Sequence, residues 1–438
     1  MKKDSITLRI IFSIGVIVLL IIPLTMIQSL ITERRSYRDG VVSEINKNWA
    51  ASQVVAGPIL TIVNEKWVND QEGKKYVSQY VYHLLPENLK YETELLPETR
   101  YRGIYEVTLY KAKIRITGYF DFEKIQKIKY EDLLLTLVDN YLSFNISDMK
   151  GIQENAILHW NKEQKEVNPG LKNQEMFRNG FTTLVEINKS NKKYYFDIEL
   201  QLKGSENLEF IPIGKITEVS MKSIWNNPSF IGTFLPSSRE INASGFIAKW
   251  RINHFNRDYP QEWYNNNYDI YSSSFGVKLR VPVDEYQKTM RTSKYGIMII
   301  LLTFVSFFMI EIFNKKVLHP IQYLLIGLAL IIFYSILLSL SEYLLFQYSY
   351  SIASVLVVCL ISLYTSSVYS NRKLGIITGA ILILFYGFMY VILQLQDYSL
   401  LLGNIALFIV LSAIMYLTRK INWYEVLSRK NFEQNKID

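Results

Sequence analysis

IQYLLIGLALIIFYSILLSL, Ile321 to Leu340, runs for twenty residues without one Asp, Glu, Lys, Arg or His. A bilayer core of about 30 Å is crossed by about 20 residues of helix, and only a helix closes its own backbone hydrogen bonds in hydrocarbon. Working outward, five more stretches of the 438-residue chain meet that length: Ile10 to Leu30, Tyr295 to Phe313, Tyr350 to Tyr369, Leu374 to Leu395 and Tyr398 to Leu417. The expected fold is a membrane α-helical bundle of six transmembrane helices joined to a large β-rich domain. Expected segments are 1–35 (N-terminal tip and first span), 36–294 (the insert), 295–417 (five spans) and 418–438 (C-terminal tail).

The first span follows Lys2, Lys3 and Arg9, as a signal peptide would. Its apolar run is longer than a signal sequence needs, and it exits into Ser29 to Arg35 with no small-x-small cleavage site, so it reads as an anchor. Net charge is +8, shared as +3 over 1–35, +2 over the insert and +3 over 295–438. Most of that excess flanks membrane spans, which argues against a nucleic-acid footprint. Lys315-Lys316, Arg372-Lys373 and Arg419-Lys420 recur at alternate loops, whereas Ser341 to Gln347 and Gln394 to Asp397 hold no Lys or Arg. Basic loops favour the cytoplasm. Both termini are therefore expected inside and residues 36–294 outside, in the periplasm of a double-membrane bacterium.

The insert alternates with period two in many short runs rich in Tyr, Phe, Ile and Thr, the pattern of strands. Tyr76 to Leu85, Pro86-Glu87-Asn88 and Leu89 to Leu96 read as a hairpin. Further strands are expected at Ile59 to Val63, Ile104 to Phe122, Phe181 to Ile187, Tyr194 to Leu202, Leu208 to Ile213, Ile216 to Trp225, Gly245 to Asn253 and Phe275 to Val281. Helix is expected at Phe122 to Leu137 and, extending the first span, at Tyr37 to Ala51. The whole reads as a mostly antiparallel sandwich or large twisted sheet. Asn226 to Pro236, with two prolines and one glycine, reads as a stiff loop whose Phe230 and Phe234 either anchor it to the core or form a recognition surface.

Chemistry is sparse. No phosphate-cradling glycine loop, HExxH, CxxC or GxSxG occurs, and His83, His159, His254 and His319 have no neighbour at ligand spacing. No cofactor is expected. The single cysteine, Cys359, lies in an apolar run, so no intrachain disulfide can form. In the spans, Glu311 and Glu342 sit near helix ends and can reach water by snorkelling, while Asn404 lies well inside the last span and suits a helix-to-helix hydrogen bond. Pro23 can kink the first span, and Gly375 and Gly379 form a GxxxG spacing.

The run Leu318-His319-Pro320-Ile321-Gln322-Tyr323-Leu324-Leu325-Ile326-Gly327-Leu328-Ala329-Leu330, on through Phe333-Tyr334 to Leu338-Ser339-Leu340-Ser341-Glu342, resembles the signature of the CreD family of bacterial inner-membrane proteins. Also similar are Pro23, Glu33-Arg34, Gly57-Pro58, Pro228-Ser229-Phe230, Phe234-Leu235-Pro236, Gly245-Phe246, Tyr286, Lys294-Tyr295, Leu417-Thr418-Arg419 and Trp423-Tyr424. The likeness is faint over about 125–180. It implies a role in envelope integrity, linked in some bacteria to a two-component system answering envelope stress and β-lactams, with no catalytic residues or cofactor to carry over. His319 and Pro320 belong to the motif, yet a proline in the first turn is what helix entry favours. The expected partners are the lipid bilayer and a periplasmic or membrane protein. Two other readings stay open: a transporter or lipid-handling protein using Glu311, Glu342 and Asn404, and an envelope enzyme using carboxylates of the insert.

Overall fold

A computed structural model describes residues 6–69, 75–121, 123, 136–174, 176–187, 192–265, 268–279, 285–314, 316, 318–395 and 399–419. The chain forms two compact units, Met1–Asp39 with Val283–Asp438 and, between them in sequence, Gly40–Pro282.

The helices are α1 (Ile6–Trp49), α2 (Glu285–Lys294), α3 (Gly296–Asn314), α4 (Pro320–Ser341), α5 (Phe346–Tyr369), α6 (Arg372–Gln394) and α7 (Ser399–Thr418). Helix α1 continues through Pro23 and includes the extension expected from Tyr37. Among the described residues five helices, α1 and α3 to α6, are long and apolar enough to cross a membrane. Helix α7, twenty residues long and apolar over most of its length, occupies the place of the sixth expected span but is not among those five. Small residues let the bundle close. A Cβ on Gly327 would run into the Leu20 side chain, and one on Gly296 would stand 2.9 Å from Leu24 Cδ1. Likewise Gly375 and Gly379 lie against Ser362 and Ser366, so the GxxxG spacing marks a real α5–α6 contact.

The other unit is a sandwich. In chain order its strands are β1 (Gln53–Asn69), β2 (Lys75–Leu84), β3 (Asn88–Arg102), β4 (Tyr105–Asp121), β5 (Thr136–Ile146), β6 (Ile157–Trp160), β7 (Glu163–Glu166), β8 (Asn168–Pro169) and β9 (Gly180–Leu184). They continue as β10 (Lys193–Ser205), β11 (Asn207–Phe210), β12 (Ile216–Ser223), β13 (Pro228–Gly232), β14 (Ser238–Asn242), β15 (Gly245–Asn253), β16 (Glu262–Tyr264) and β17 (Phe275–Leu279). One sheet runs β13-β17-β11-β1-β5-β9-β8, with β2 on β1 and β16 on β2; the second runs β14-β15-β12-β3-β4-β10-β6-β7. Pairing is antiparallel except for β1 with β11 and β3 with β12. Alternation decides which face is buried: in β3, Leu89, Tyr91, Thr93 and Leu95 are buried while Lys90, Glu92, Glu94 and Leu96 point away. The two inner faces share one core. The Tyr91 hydroxyl donates to the Gly57 carbonyl at 3.2 Å, and its ring lies 4.7 Å from that of Phe210 in the opposite sheet.

Three sequence expectations are corrected. Residues 76–96 are not a hairpin: β2 pairs with β1 over ten positions and β3 with β4 over fifteen, in different sheets. Pro86-Glu87-Asn88 is therefore a crossover between layers, because each strand finds a longer complement elsewhere. The Asn226 to Pro236 segment is not all loop, since Pro228 to Gly232 forms an edge strand on β17; proline is tolerated there because an edge need not donate on its outer side. Of the helix expected at Phe122 to Leu137, Phe122 and 124–135 lie outside the described residues, while Thr136 and Leu137 begin β5.

The crossover is pinned by a buried cation. Arg257, 7% exposed, donates to the Tyr259 carbonyl at 2.6 Å, to that of Pro260 at 3.1 Å and to Gln261 Oε1 at 2.6 Å. Gln261 in turn donates to the carbonyls of Leu85 at 3.0 Å and Pro86 at 2.9 Å, and Lys215 N–H adds a bond to Pro86 at 2.8 Å. Burial lowers the Arg257 pKa to about 10, which still leaves the guanidinium charged at neutral pH. Only a planar fork reaches these acceptors together. Arg257→Lys is expected to destabilise the sandwich by about 2–3 kcal/mol, read as a lower thermal transition of the full chain in detergent; an unchanged transition would refute the pinning.

Candidate functional site

In the helical unit Glu311, Lys316 and His319 stand at one turn. At the α3–α4 turn the Glu311 carboxylate accepts the Leu318 N–H at 2.7 Å. Next to it His319 is the N-cap of α4: its Nδ1 accepts the Ile321 N–H at 3.3 Å, and Gln322 Oε1 accepts the His319 N–H at 2.7 Å. Pro320 fills the first helical position, where its missing N–H is harmless. His319, Pro320 and Gln322 therefore form a capping box with a proline entry. Lys316 Nζ donates to the Tyr369 carbonyl at the end of α5, at 2.7 Å. Glu311 is 7% exposed, so the expected snorkelling to water does not occur; its charge is spent on a backbone amide instead.

At the opposite ends of these helices stands a polar collar that the sequence reading missed. The Tyr286 hydroxyl of α2 donates to Glu342 Oε1 at 3.3 Å, and Arg34 Nε of α1 lies 3.9 Å from the same oxygen. The Arg38 guanidinium sits 5.2 Å from the Tyr286 ring centre. Glu285 Oε2 accepts the Phe346 N–H at 3.0 Å, which caps α5, and Gln28 donates to the Ser293 carbonyl at 3.3 Å. The available signal was the polar decapeptide Glu285 to Lys294, whose Tyr286, Thr289 and Ser293 recur at i, i+3 and i+7. Asn404 lies at an exposed position of α7, and no hydrogen bond of its side chain is seen among the described residues.

In the sandwich, Phe230 and Phe234 are packing residues. Phe230 meets Trp250 edge-on at 5.7 Å and Phe246 at 6.0 Å, while Phe234 meets Phe275 at 5.9 Å. The Trp250 indole N–H donates to the Phe234 carbonyl at 3.2 Å. Of the two readings left open for this segment, the structure favours the anchor.

A concave site of about 230 Å³ opens at one end of the second sheet, between β3, β12 and the β14–β15 hairpin. Glu94 and Lys222 form an ion pair at 3.2 Å beside it. Leu96, Ile224 and Ile247 contribute apolar walls, and Ile224 is 67% exposed. Asn242 and Ser244 supply polar atoms across from them. Pairing of Lys222 with both Glu94 and Ile247 puts these side chains on the outer face. The lining has no histidine or cysteine, and its chemistry suits binding. The signal in sequence was a lapse in alternation, with Leu96, Ile224 and Ile247 apolar where the outer face is otherwise charged. Among the described residues no three His, Cys, Asp or Glu side chains converge.

If Glu311 serves as the cap for Leu318, Glu311→Gln keeps an acceptor oxygen while Glu311→Leu strands a buried N–H, which costs about 1–3 kcal/mol. The leucine variant is expected to melt several degrees lower and the glutamine variant close to the parent, in a thermal-shift series on the full chain.

A family model described as "Inner membrane protein CreD" matches residues 5–424. The Inner membrane protein CreD of Escherichia coli (strain K12) is 30% identical over 415 residues, covering 94% of this chain and 92% of that protein.

Proposed function

The chain belongs to the CreD family of inner membrane proteins, and from that premise we propose that it serves cell envelope integrity or the envelope-stress response without catalysis, through contacts of its β-rich domain. The observation that carries this reading is the groove on the second sheet, where Leu96, Ile224 and Ile247 are exposed beside the Glu94–Lys222 ion pair. Large aliphatic side chains on a water-facing sheet have a cost in solubility that a binding partner removes. The partner is a periplasmic or membrane protein.

In this proposal α7 completes a set of six spans, the segments before α1 and after α7 face the cytoplasm, and residues 36–294 face the periplasm. The basic pairs Lys315-Lys316, Arg372-Lys373 and Arg419-Lys420 support that orientation. The transport reading draws less support, because Glu311 is engaged by Leu318 N–H and Glu342 by Tyr286 and Arg34. Charges held in caps are poor candidates for ion coupling.

Two measurements test the proposal. In a Cys359→Ser background, Gln394→Cys should react with an impermeant maleimide in intact spheroplasts and Arg419→Cys only after lysis; the reverse pattern overturns the orientation. The double change Ile224→Arg with Ile247→Glu should abolish crosslinks formed by the β-rich domain and the associated stress phenotype, while leaving the thermal transition in place. Wild-type crosslinking and phenotype in that variant would eliminate the groove as the contact.

A further inference from the structure

Helix α2 has two unlike faces. At about 100° per residue, Tyr286, Thr289, Thr292 and Ser293 fall on one side, and all four are buried. Lys288, Arg291 and Lys294 fall on the other. The buried side is chemically complete: the hydroxyls of Thr289, Thr292 and Ser293 donate to the carbonyls of Glu285, Lys288 and Met290 at 2.9, 2.8 and 2.9 Å. Among the described residues two nearby carboxylates have partners. Glu285 caps α5 and Glu342 takes the Tyr286 hydroxyl with Arg34 close by. The helix carries a stripe of three cations, Lys288, Arg291 and Lys294, against the one carboxylate of Glu285; the Lys288 ammonium meets the Phe346 ring at 5.5 Å, which leaves its charge uncancelled.

The position of the stripe narrows what it can meet. Gly296 opens the apolar span α3, two residues after Lys294 and five after Arg291. At about 1.5 Å per helical residue, Arg291 is no more than about 8 Å from the start of the span, whatever the tilt of α2. The headgroup layer adds about 5–7 Å to each side of the hydrocarbon, so Lys294 lies within it, Arg291 at its edge, and Lys288, about 12 Å from the start of the span at most, reaches it with its long side chain. Orientation does not explain the stripe. On the topology proposed above it lies beside the translocated insert, where basic residues work against the positive-inside rule, so a local interaction must favour them.

We propose that the Lys288–Arg291–Lys294 face of α2 binds the phosphate of an anionic phospholipid headgroup. Each cation near a charged bilayer surface is worth about fivefold in binding, so the three together give roughly a hundredfold preference for anionic over zwitterionic lipid. The inference draws one argument from the proposed topology, but its test reads lipid directly and does not depend on which side the helix faces.

Native mass spectrometry of the full chain, released from detergent with equal phosphatidylglycerol and phosphatidylcholine, provides the test. The parent protein should retain phosphatidylglycerol preferentially, and raising ionic strength before transfer should erode the preference. The triple change Lys288→Gln, Arg291→Gln and Lys294→Gln should bring retention of the two lipids close to parity, whereas Lys288→Arg with Arg291→Lys and Lys294→Arg should preserve the preference. Arg372→Gln with Lys373→Gln, at another span, should leave it unchanged. Undiminished preference in the glutamine variant, equal loss in the Arg372/Lys373 control, or indifference of the parent to salt would each overturn the assignment. The charge-preserving swap and the salt series decide the matter if the glutamine variant fails to fold.

Discussion

A backbone amide that enters hydrocarbon without a partner costs several kcal/mol, and the places where this bites are the first turns of the spanning helices. In this protein those turns are closed by side chains, most of them local to the helix entry and one brought from another helix. Helix α4 is capped by His319 and Gln322, α5 receives Glu285 from α2, α6 has Asn371, and the turn before α4 hands its Leu318 amide to Glu311. Two charged residues of the helical unit, Glu285 and Glu311, are thus located where open amides are. Gly296 and Gly327 then allow α1 to approach through Leu24 and Leu20. Without fixed helix entries that close approach would have no register.

The sandwich depends on a related constraint in water. The chain passes between its two sheets several times, after β2 by a crossover of only three residues, and a crossover buried between layers must find acceptors and donors for its own backbone. Gln261 and the Lys215 amide satisfy Pro86, and Arg257 holds Gln261 in place. A buried guanidinium with carbonyl partners is costly to desolvate, and the lowered Arg257 pKa records that cost. The arrangement is retained because an apolar side chain there could not supply the several hydrogen bonds in one plane. The aromatic pairs Tyr91–Phe210 and Phe230–Trp250 fill the space between the layers on either side.

Length and apolarity made the spans legible, since crossing a bilayer is a one-dimensional requirement that the chain meets segment by segment. Most strands were legible through alternation for the same reason. Pairing was not. Tyr76 to Leu96 carries every local sign of a hairpin, and its failure to form one rests on β1 and β4 offering longer complements. Pro228 and Gly232 hid an edge strand because both residues usually end strands, and an edge has only one side to satisfy. Glu311 was recognised as unusual but given the wrong surroundings: sequence shows that a carboxylate lies near a span end, whereas the amide it meets, seven residues on, is set by the turn. The collar went unread because its members are far apart in sequence, Tyr286 and Glu342 by 56 residues and Arg34 from both by more than two hundred.

These assignments redirect the functional question. A charge in a membrane helix is a functional suspect until a structural duty is found for it. Glu311 and Glu342 have such duties, His319 is a cap, and Phe230 and Phe234 are core anchors. What remains is of a different kind: aliphatic side chains standing on a sheet face around Ile224, and the half-buried Lys288 and Arg291 with the exposed Lys294 on the side of α2 away from Tyr286 and Ser293. Neither set stabilises the unit that bears it, since exposed Ile and Leu gain nothing in water and like charges at helical spacing repel. Residues that weaken a fold on its own are explained by something outside it, and the two surfaces differ in chemistry as a protein partner differs from a lipid headgroup.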